Sequence, residues 1–161
     1  MTDGRVRALL ADLEHQRQAF IVAIEALGED ALETPIVGEW DARDLVVHVA
    51  FWSDHGADAL DLVRTGRGDG FAYDKSQTDA MNAATAAAGR ALALDAALAR
   101  ESAAYRRLHA ALAGLIDAHL DLRLGNGDAV EDVVRYDGPD HYAEHAAHLS
   151  MPHRSALPAN S

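Results

Sequence analysis

The feature that most constrains the fold is the recurrence of apolar residues at steps of three and four along the chain. In residues 2–27 this spacing places the apolar side chains on one side of a helix, and Gly28 follows as a stop signal. An amphipathic helix of this kind is stable only when its apolar stripe packs against other elements. The stripe consists of Val6, Leu9, Leu13, Phe20, Ile24 and Leu27.

A second helix is predicted to begin at Asp41, because aspartate caps helix N-termini and Asp44 adds negative charge to the first turn. The run DLVVHVAFW that follows is almost entirely apolar, so we expect this helix to be buried on more than one side. It is expected to end near Thr65, because the glycine-rich segment GRGDG occupies residues 66–70.

Three further helical segments follow. Residues 76–115 carry another amphipathic stripe, with a kink expected near Gly89, and a short helix is predicted over 129–136. The last helix is predicted over 139–151, because it opens on a proline and Pro152 disfavours helical geometry in the residue before it. Long amphipathic helices without a strand signal predict an all-α four-helix bundle.

The length and composition of the chain fit a single globular domain. The 161 residues are 49% apolar, which is enough to form a core, and only 6% aromatic. We therefore predict one domain over residues 1–152, followed by a polar C-terminal tail over 153–161.

The charge and residue content indicate which partners and compartments to expect. Acidic residues outnumber basic ones 26 to 14, and the net charge of −12 argues against nucleic acid and anionic membranes as partners. The chain has no cysteine, no long apolar segment and no signal-peptide pattern at its start, so we expect a cytoplasmic protein. The expected partner is a small-molecule substrate, and packing as a homodimer is neither favoured nor opposed by the acidic surface.

The segment HYAEHAAHL near the C-terminus contains candidate metal ligands. His141 and His145 are four residues apart, so their Cβ atoms lie about 5–6 Å apart on a helix and both rings can converge on one ion. The spacing alone is weak evidence, because chance can produce such a pair in a chain with nine histidines. Glu144 and His148 have the same spacing on a neighbouring stripe, so the choice of pair stays open.

His48 strengthens the prediction because it lies inside the apolar run of the second helix. A buried imidazole is costly unless its polar atoms are satisfied, either by a backbone carbonyl in the core or by a metal ion shared with the last helix. Three neutral imidazoles with open positions would suit zinc or nickel. Trp52 and His55 follow on the same helical face and are candidates to line the pocket.

Several segments together resemble the DinB-like four-helix-bundle proteins. The run GEWDARDLVVHVAFW, with its tryptophan and His48, resembles their second helix, and Asn82 in DAMNAATAAAGR and the closing HYAEHAAHL resemble later segments. Many members bind a divalent ion through one histidine of the second helix and two ligands of the fourth. The resemblance therefore implies a DinB-like fold with His48, His141 and His145 as ligands.

Two branches of this superfamily imply different ligands and activities. The branch that resembles mycothiol-dependent maleylpyruvate isomerase uses Glu-x-x-x-His, which corresponds to Glu144 and His148. The resemblance implies a metal-dependent transferase, isomerase or hydrolase that activates a low-molecular-weight thiol or water against a small electrophile. If Glu144 is not a ligand, its carboxylate is the candidate catalytic base, and the alternatives are a contact to a ligand or a solvated surface charge. The ClbS/DfsB-like branch has a similar HYxEH ending and implies a metal-free bundle that binds a small toxic molecule.

Overall fold

A computed structural model of the chain describes residues 4–151 and shows an all-α protein. No strand forms within these residues, and two single turns of 3-10 helix, Gly68–Gly70 and Lys75–Gln77, interrupt the loop after the second long helix. The predicted fold class is confirmed. The helices are α1 (Gly4–Glu25), α2 (Glu29–Leu32), α3 (Ala42–Arg64), α4 (Thr78–Gly89), α5 (Leu94–Ala113), α6 (Asp117–Leu120), α7 (Val130–Asp137) and α8 (Pro139–Ser150).

Helices α1, α3, α5 and α8 form the four-helix bundle. Helix α3 packs along α5 and α1 packs along α8, while α1 also contacts α5 and α3 also contacts α8. Helices α4 and α7 lie against α3 and cover it from outside the bundle. The largest side chains in the core come from all four bundle helices and include Leu13, Phe20, Leu45, Leu60, Leu108, Leu112 and Tyr142.

The start and the burial of α3 follow from its sequence as predicted. The backbone N–H of Asp44 donates to Asp41 Oδ1 at 2.9 Å, and the backbone N–H of Asp41 donates to Asp44 Oδ2 at 3.1 Å. This reciprocal capping box satisfies two backbone donors at the helix start. Residues 44–50 are all buried, so α3 is enclosed on every side near His48.

The predicted helix over 76–115 is two helices, and the expected kink near Gly89 is a complete break. The backbone N–H of Leu92 donates to the carbonyl of Gly89 at 2.9 Å, which closes a turn before α5 begins. Gly89 itself packs against α3, because a Cβ at this position would lie 2.9 Å from Val47 Cγ1. The glycine therefore permits close contact between α4 and α3.

The ends of the chain are described only in part. Helix α8 ends at Ser150, as predicted, but the proposed domain end at residue 152 and the polar tail over 153–161 lie outside the described residues. None of the helices in the described part of the chain combines the length and the apolar character that crossing a lipid bilayer requires.

A buried ion pair connects three of the bundle helices. Glu101 of α5 is fully buried, and Arg17 of α1 donates to its two carboxylate oxygens at 3.1 and 2.9 Å. The hydroxyl of Tyr142 in α8 donates to the same carboxylate at 2.6 Å. Burial and the neighbouring Glu101 raise the pKa of Tyr142 well above its ordinary value, so its hydroxyl remains a hydrogen-bond donor.

We predict that Arg17→Met destabilises the fold strongly. The substitution leaves the Glu101 carboxylate buried without its cation, and such losses lower the free energy of unfolding by about 3 kcal/mol. Urea denaturation of the purified variant measures this change.

The matched control is Arg107→Met. Arg107 forms ion pairs with three aspartates of α3, but all of these side chains are exposed, so the expected loss is below about 1 kcal/mol. Equal losses in the two variants would show that the Arg17–Glu101 pair does not anchor the bundle.

Candidate metal centre

Three histidines from two helices meet inside the bundle. His48 comes from α3, and His141 and His145 come from successive turns of α8. His141 Nε2 lies 2.9 Å from His48 Nε2 and 3.0 Å from His145 Nε2. Two nitrogens bound to one zinc ion at roughly 2.0–2.1 Å in a tetrahedron lie about 3.3 Å apart. Only small side-chain shifts are therefore needed for the three rings to hold one ion.

The three imidazoles are held in the neutral form that metal binding requires. His48 and His145 are only 7% and 5% exposed. Burial lowers the pKa of His48 to about 4. Burial, together with the neighbouring His48 and His148, lowers the pKa of His145 to about 3. The pKa of His141 is also lowered well below its ordinary value, mainly by burial. Each ring therefore offers a lone pair near pH 7.

Hydrogen bonds within the chain do not satisfy this cluster. A neutral imidazole nitrogen carries either one proton or one lone pair, so His141 Nε2 can make a full hydrogen bond to only one of its two neighbours. Within residues 4–151, the Nδ1 atoms of His48 and His141 are buried without a hydrogen-bond partner. A cation bound by all three Nε2 atoms would remove the conflict between them, so these residues fit a divalent metal ion.

The alternative ligand pair lies elsewhere on α8. Glu144 is exposed and lines the rim of the cleft beside the cluster. His148 lies on the outer side of His145, with their Nδ1 atoms 3.2 Å apart. Among the described residues, the histidines that come together with His48 are His141 and His145. The assignment of any of these side chains as a ligand stays a prediction.

A cleft of about 340 Å³ opens beside the three histidines. Trp52 lines it, as the sequence predicts, and its Nε1 donates to Asn82 Oδ1 at 2.8 Å, which fixes the indole ring. Trp40 forms another wall, with its ring centroid 4.7 Å from that of His48. The cleft is also lined by Tyr73, Thr78, Tyr136, Asp137 and Glu144.

His55 lies apart from the cluster. The sequence made it a candidate to line the same pocket as His48, but the structure places it in a neighbouring cavity. Its Nδ1 lies 2.9 Å from Asp137 Oδ2, and its ring contacts Trp52 and Tyr73. Within the described residues, His55 therefore does not belong to the group that could hold a metal ion.

Sequence reasoning did not assign several lining residues to this site, among them Trp40, Asp137, Tyr73, Thr78 and Tyr136. Trp40 had a usable signal, since it is an aromatic residue directly before the capping residue of α3. Asp137 had none, because it is one of 26 acidic residues and its histidine partner lies 82 positions away in sequence.

The fold and the histidine cluster together define an all-α bundle with a candidate metal site between α3 and α8. A family model of the mycothiol maleylpyruvate isomerase N-terminal domain matches residues 13–150. The chain belongs to this family, which is part of the DinB-like superfamily, and the matched range includes all three histidines. Searches of the curated proteins and of the solved structures each found no match.

The lowered pKa values predict how the metal-free protein responds to acid. In the unfolded chain these histidines become protonated near their ordinary pKa of 6.5. In the folded protein His48 becomes protonated only near pH 4 and His145 only near pH 3. The unfolded state therefore binds more protons in this window, and the free energy of unfolding should fall as pH decreases from about 6.5 toward 3. Urea denaturation in the presence of a chelator, repeated at several pH values, measures this slope.

The matched variants are His48→Gln and His15→Gln. The first removes a buried imidazole and should reduce the loss of stability between pH 6.5 and about 4. The second removes an exposed histidine and should behave as the wild type. If His48→Gln retains the full pH dependence, the buried neutral form of His48 is not its source.

Proposed function

We propose that the protein is a divalent-metal-dependent enzyme that activates an external thiol or water against a small electrophilic substrate. The observation that carries this proposal is the approach of three neutral imidazoles to within 4.8 Å of one another beside an open cleft. Three protein ligands with a remaining position open to a cleft are typical of catalytic zinc sites, whereas structural sites are closed by four ligands.

In this proposal His48, His141 and His145 hold the ion, and their nitrogen atoms favour zinc or nickel. The ion would supply Lewis acidity and so lower the pKa of a thiol or water molecule beside it. The chain has no cysteine, so a thiol would have to come from another molecule. The description of the family names mycothiol, which supports a low-molecular-weight thiol as the cosubstrate.

The other residues of the cleft would bind the substrate and accept the proton that the activated thiol or water loses. The Glu144 carboxylate at the rim can accept the proton that a thiol or water loses on activation. Trp40 and Trp52 provide apolar walls that exclude water from the reacting groups. Asn82 holds Trp52 in place through its hydrogen bond to the indole nitrogen.

A second candidate function is small-molecule binding without a metal or catalysis, as in a self-resistance protein. It is favoured by a further cavity of about 300 Å³, lined by aromatic side chains, that lies next to the cleft and does not contain the histidine cluster. Zinc titration separates the two candidates, because only the enzyme requires stoichiometric metal binding.

We predict that the purified protein binds about one equivalent of zinc and that the affinity depends on the three clustered histidines. Single substitutions His48→Ala, His141→Ala and His145→Ala should each lower zinc affinity by more than about 100-fold, which exceeds the usual effect of losing an outer contact. Isothermal titration calorimetry of protein without a histidine tag measures stoichiometry and affinity.

Glu144→Gln and His148→Ala serve as controls on the same helix. Glu144→Gln should bind zinc as the wild type does, and His148→Ala should lose about tenfold in affinity because His148 contacts only the outer nitrogen of His145. Normal zinc binding by His141→Ala, with loss of binding in both control variants, would assign the ligands to Glu144 and His148 instead.

We also predict that a thiol binds at the metal. Addition of mycothiol to the cobalt-substituted protein should produce the charge-transfer absorption that reports sulfur coordination, because a position facing the cleft remains open. His145→Ala, treated in the same way, should not produce it. An unchanged wild-type spectrum with mycothiol and with other low-molecular-weight thiols would contradict thiol activation and leave water as the proposed nucleophile.

A further inference from the structure

A second cavity of about 300 Å³ lies between α3, α7 and the loop that precedes α4. It adjoins the cleft of the histidine cluster, because side chains such as Trp52, Tyr73 and Asp137 line both spaces. Lys75, Thr78 and Asp128 also lie along its wall. We call this cavity the aromatic chamber and define it by Trp52, His55, Phe71, Tyr73, Val133, Tyr136 and Asp137.

The aromatic chamber contains a histidine that a buried carboxylate orients. His55 Nδ1 lies 2.9 Å from Asp137 Oδ2, and Asp137 is only 7% exposed. Gly56 makes this contact possible, because a Cβ at that position would lie 2.8 Å from Asp137 Cβ. The absence of a side chain next to His55 therefore lets the end of α7 reach α3.

This hydrogen bond determines which nitrogen of His55 faces the cavity as an acceptor. Burial raises the pKa of Asp137, and the hydrogen bond with His55 opposes that rise. When this carboxylate is ionised it can only accept, so Nδ1 then carries the proton and Nε2 carries the lone pair. The described residues provide no hydrogen-bond partner for Nε2, although the ring lines the chamber. The structure therefore presents a single oriented acceptor to whatever occupies the chamber.

Neighbouring rings hold the His55 side chain in place. Its ring centroid lies 4.9 Å from that of Trp52, 5.3 Å from that of Phe71 and 4.7 Å from that of Tyr73. Rings at these separations make favourable edge-to-face contacts that restrict rotation. The hydrogen bond from Nδ1 alone would be enough to connect α3 and α7. The ring contacts in addition fix the direction in which His55 Nε2 points.

The walls indicate the kind of molecule that fits. Aromatic side chains favour flat, apolar ligands, and a space of about 300 Å³ is at the small end of ligand pockets. Lys75 lies 3.7 Å from Asp128, so these two charges offset each other. The remaining negative charge of Asp137 accepts the hydrogen bond from His55 Nδ1. A neutral molecule of one or two rings matches these features better than an ion does.

We propose that the aromatic chamber binds a small, flat, neutral molecule that carries one hydrogen-bond donor, as a phenol does, and that His55 Nε2 accepts this hydrogen bond. Asp137 is a positioning residue that sets the tautomer of His55. Binding itself does not depend on the metal ion. The further role of the chamber, as the substrate site of the adjoining histidine cluster, rests on the proposed function.

The test compares two probes of the same shape on metal-free protein. 2-Naphthol carries a donor, and 2-methylnaphthalene does not. Titrations followed by nuclear magnetic resonance should show that the wild type prefers 2-naphthol by about tenfold, the worth of one hydrogen bond. His55→Phe should bind both probes with equal affinity. Equal affinity of the wild type for the two probes, or failure to bind either, would overturn the proposal.

The control variant is His109→Phe. His109 also pairs with a carboxylate, since its Nε2 lies 2.8 Å from Glu14 Oε1, but it lies on the surface outside the chamber. This variant should keep the full preference for 2-naphthol. Loss of the preference in His109→Phe would show that the effect does not come from the chamber.

The tautomer of His55 gives a readout that a purely structural role would not predict and that needs no folded His55 variant. Nitrogen-15 spectra of the wild-type imidazole at mildly alkaline pH should show the proton on Nδ1. Asp137→Asn should shift the ring toward a mixture of tautomers and weaken the preference for 2-naphthol. A proton on Nε2 in the wild type would overturn the proposal.

The probe-binding experiments test the aromatic chamber independently of zinc binding by the histidine cluster. His55→Phe should bind zinc as the wild type does, because His55 lies outside the three-histidine cluster. A protein that binds 2-naphthol through His55 but never binds zinc would contradict the proposed metal-dependent activity and support ligand binding in the aromatic chamber. A protein that binds zinc but binds both probes equally would contradict only the proposed ligand binding in the aromatic chamber.

Discussion

The site depends on the contact between one imidazole of α3 and two imidazoles of α8. The Nε2 atoms of His48, His141 and His145 lie within 4.8 Å of one another in a part of the bundle where burial keeps all three rings neutral. Their lone pairs and protons cannot all be satisfied by one another, because each ring carries a single proton. A bound cation would resolve this conflict and would offset the cost of burying three polar rings between apolar helices.

The packing of α8 on its other side keeps these histidines turned toward α3. Tyr142 directly follows His141, and its hydroxyl donates to the Glu101 carboxylate that also accepts from Arg17. Residues adjacent on a helix point in different directions, so anchoring Tyr142 against α1 and α5 leaves His141 and His145 facing α3. The buried ion pair thus anchors α8 in the rotation that turns His141 and His145 toward α3, where the candidate metal site lies.

Much of the fold could be predicted because its signals are local. The apolar stripes, the aspartate cap at Asp41 and the proline at the start of α8 each depend on neighbouring residues, and the structure contains the corresponding helices. The choice between His141 with His145 and Glu144 with His148 could not be predicted, since both pairs have the same spacing and only tertiary packing decides which stripe faces inward. The contact between His55 and Asp137 likewise depends on how α7 lies against α3.

We propose that His48, His141 and His145 bind one divalent ion with a position left open to the cleft. X-ray absorption spectroscopy of the zinc-loaded protein measures the number and type of ligands directly. We expect three imidazole nitrogens at roughly 2.0–2.1 Å, with an exchangeable light atom completing the coordination. A first shell containing one imidazole, or a carboxylate of the protein in place of His141, would contradict it.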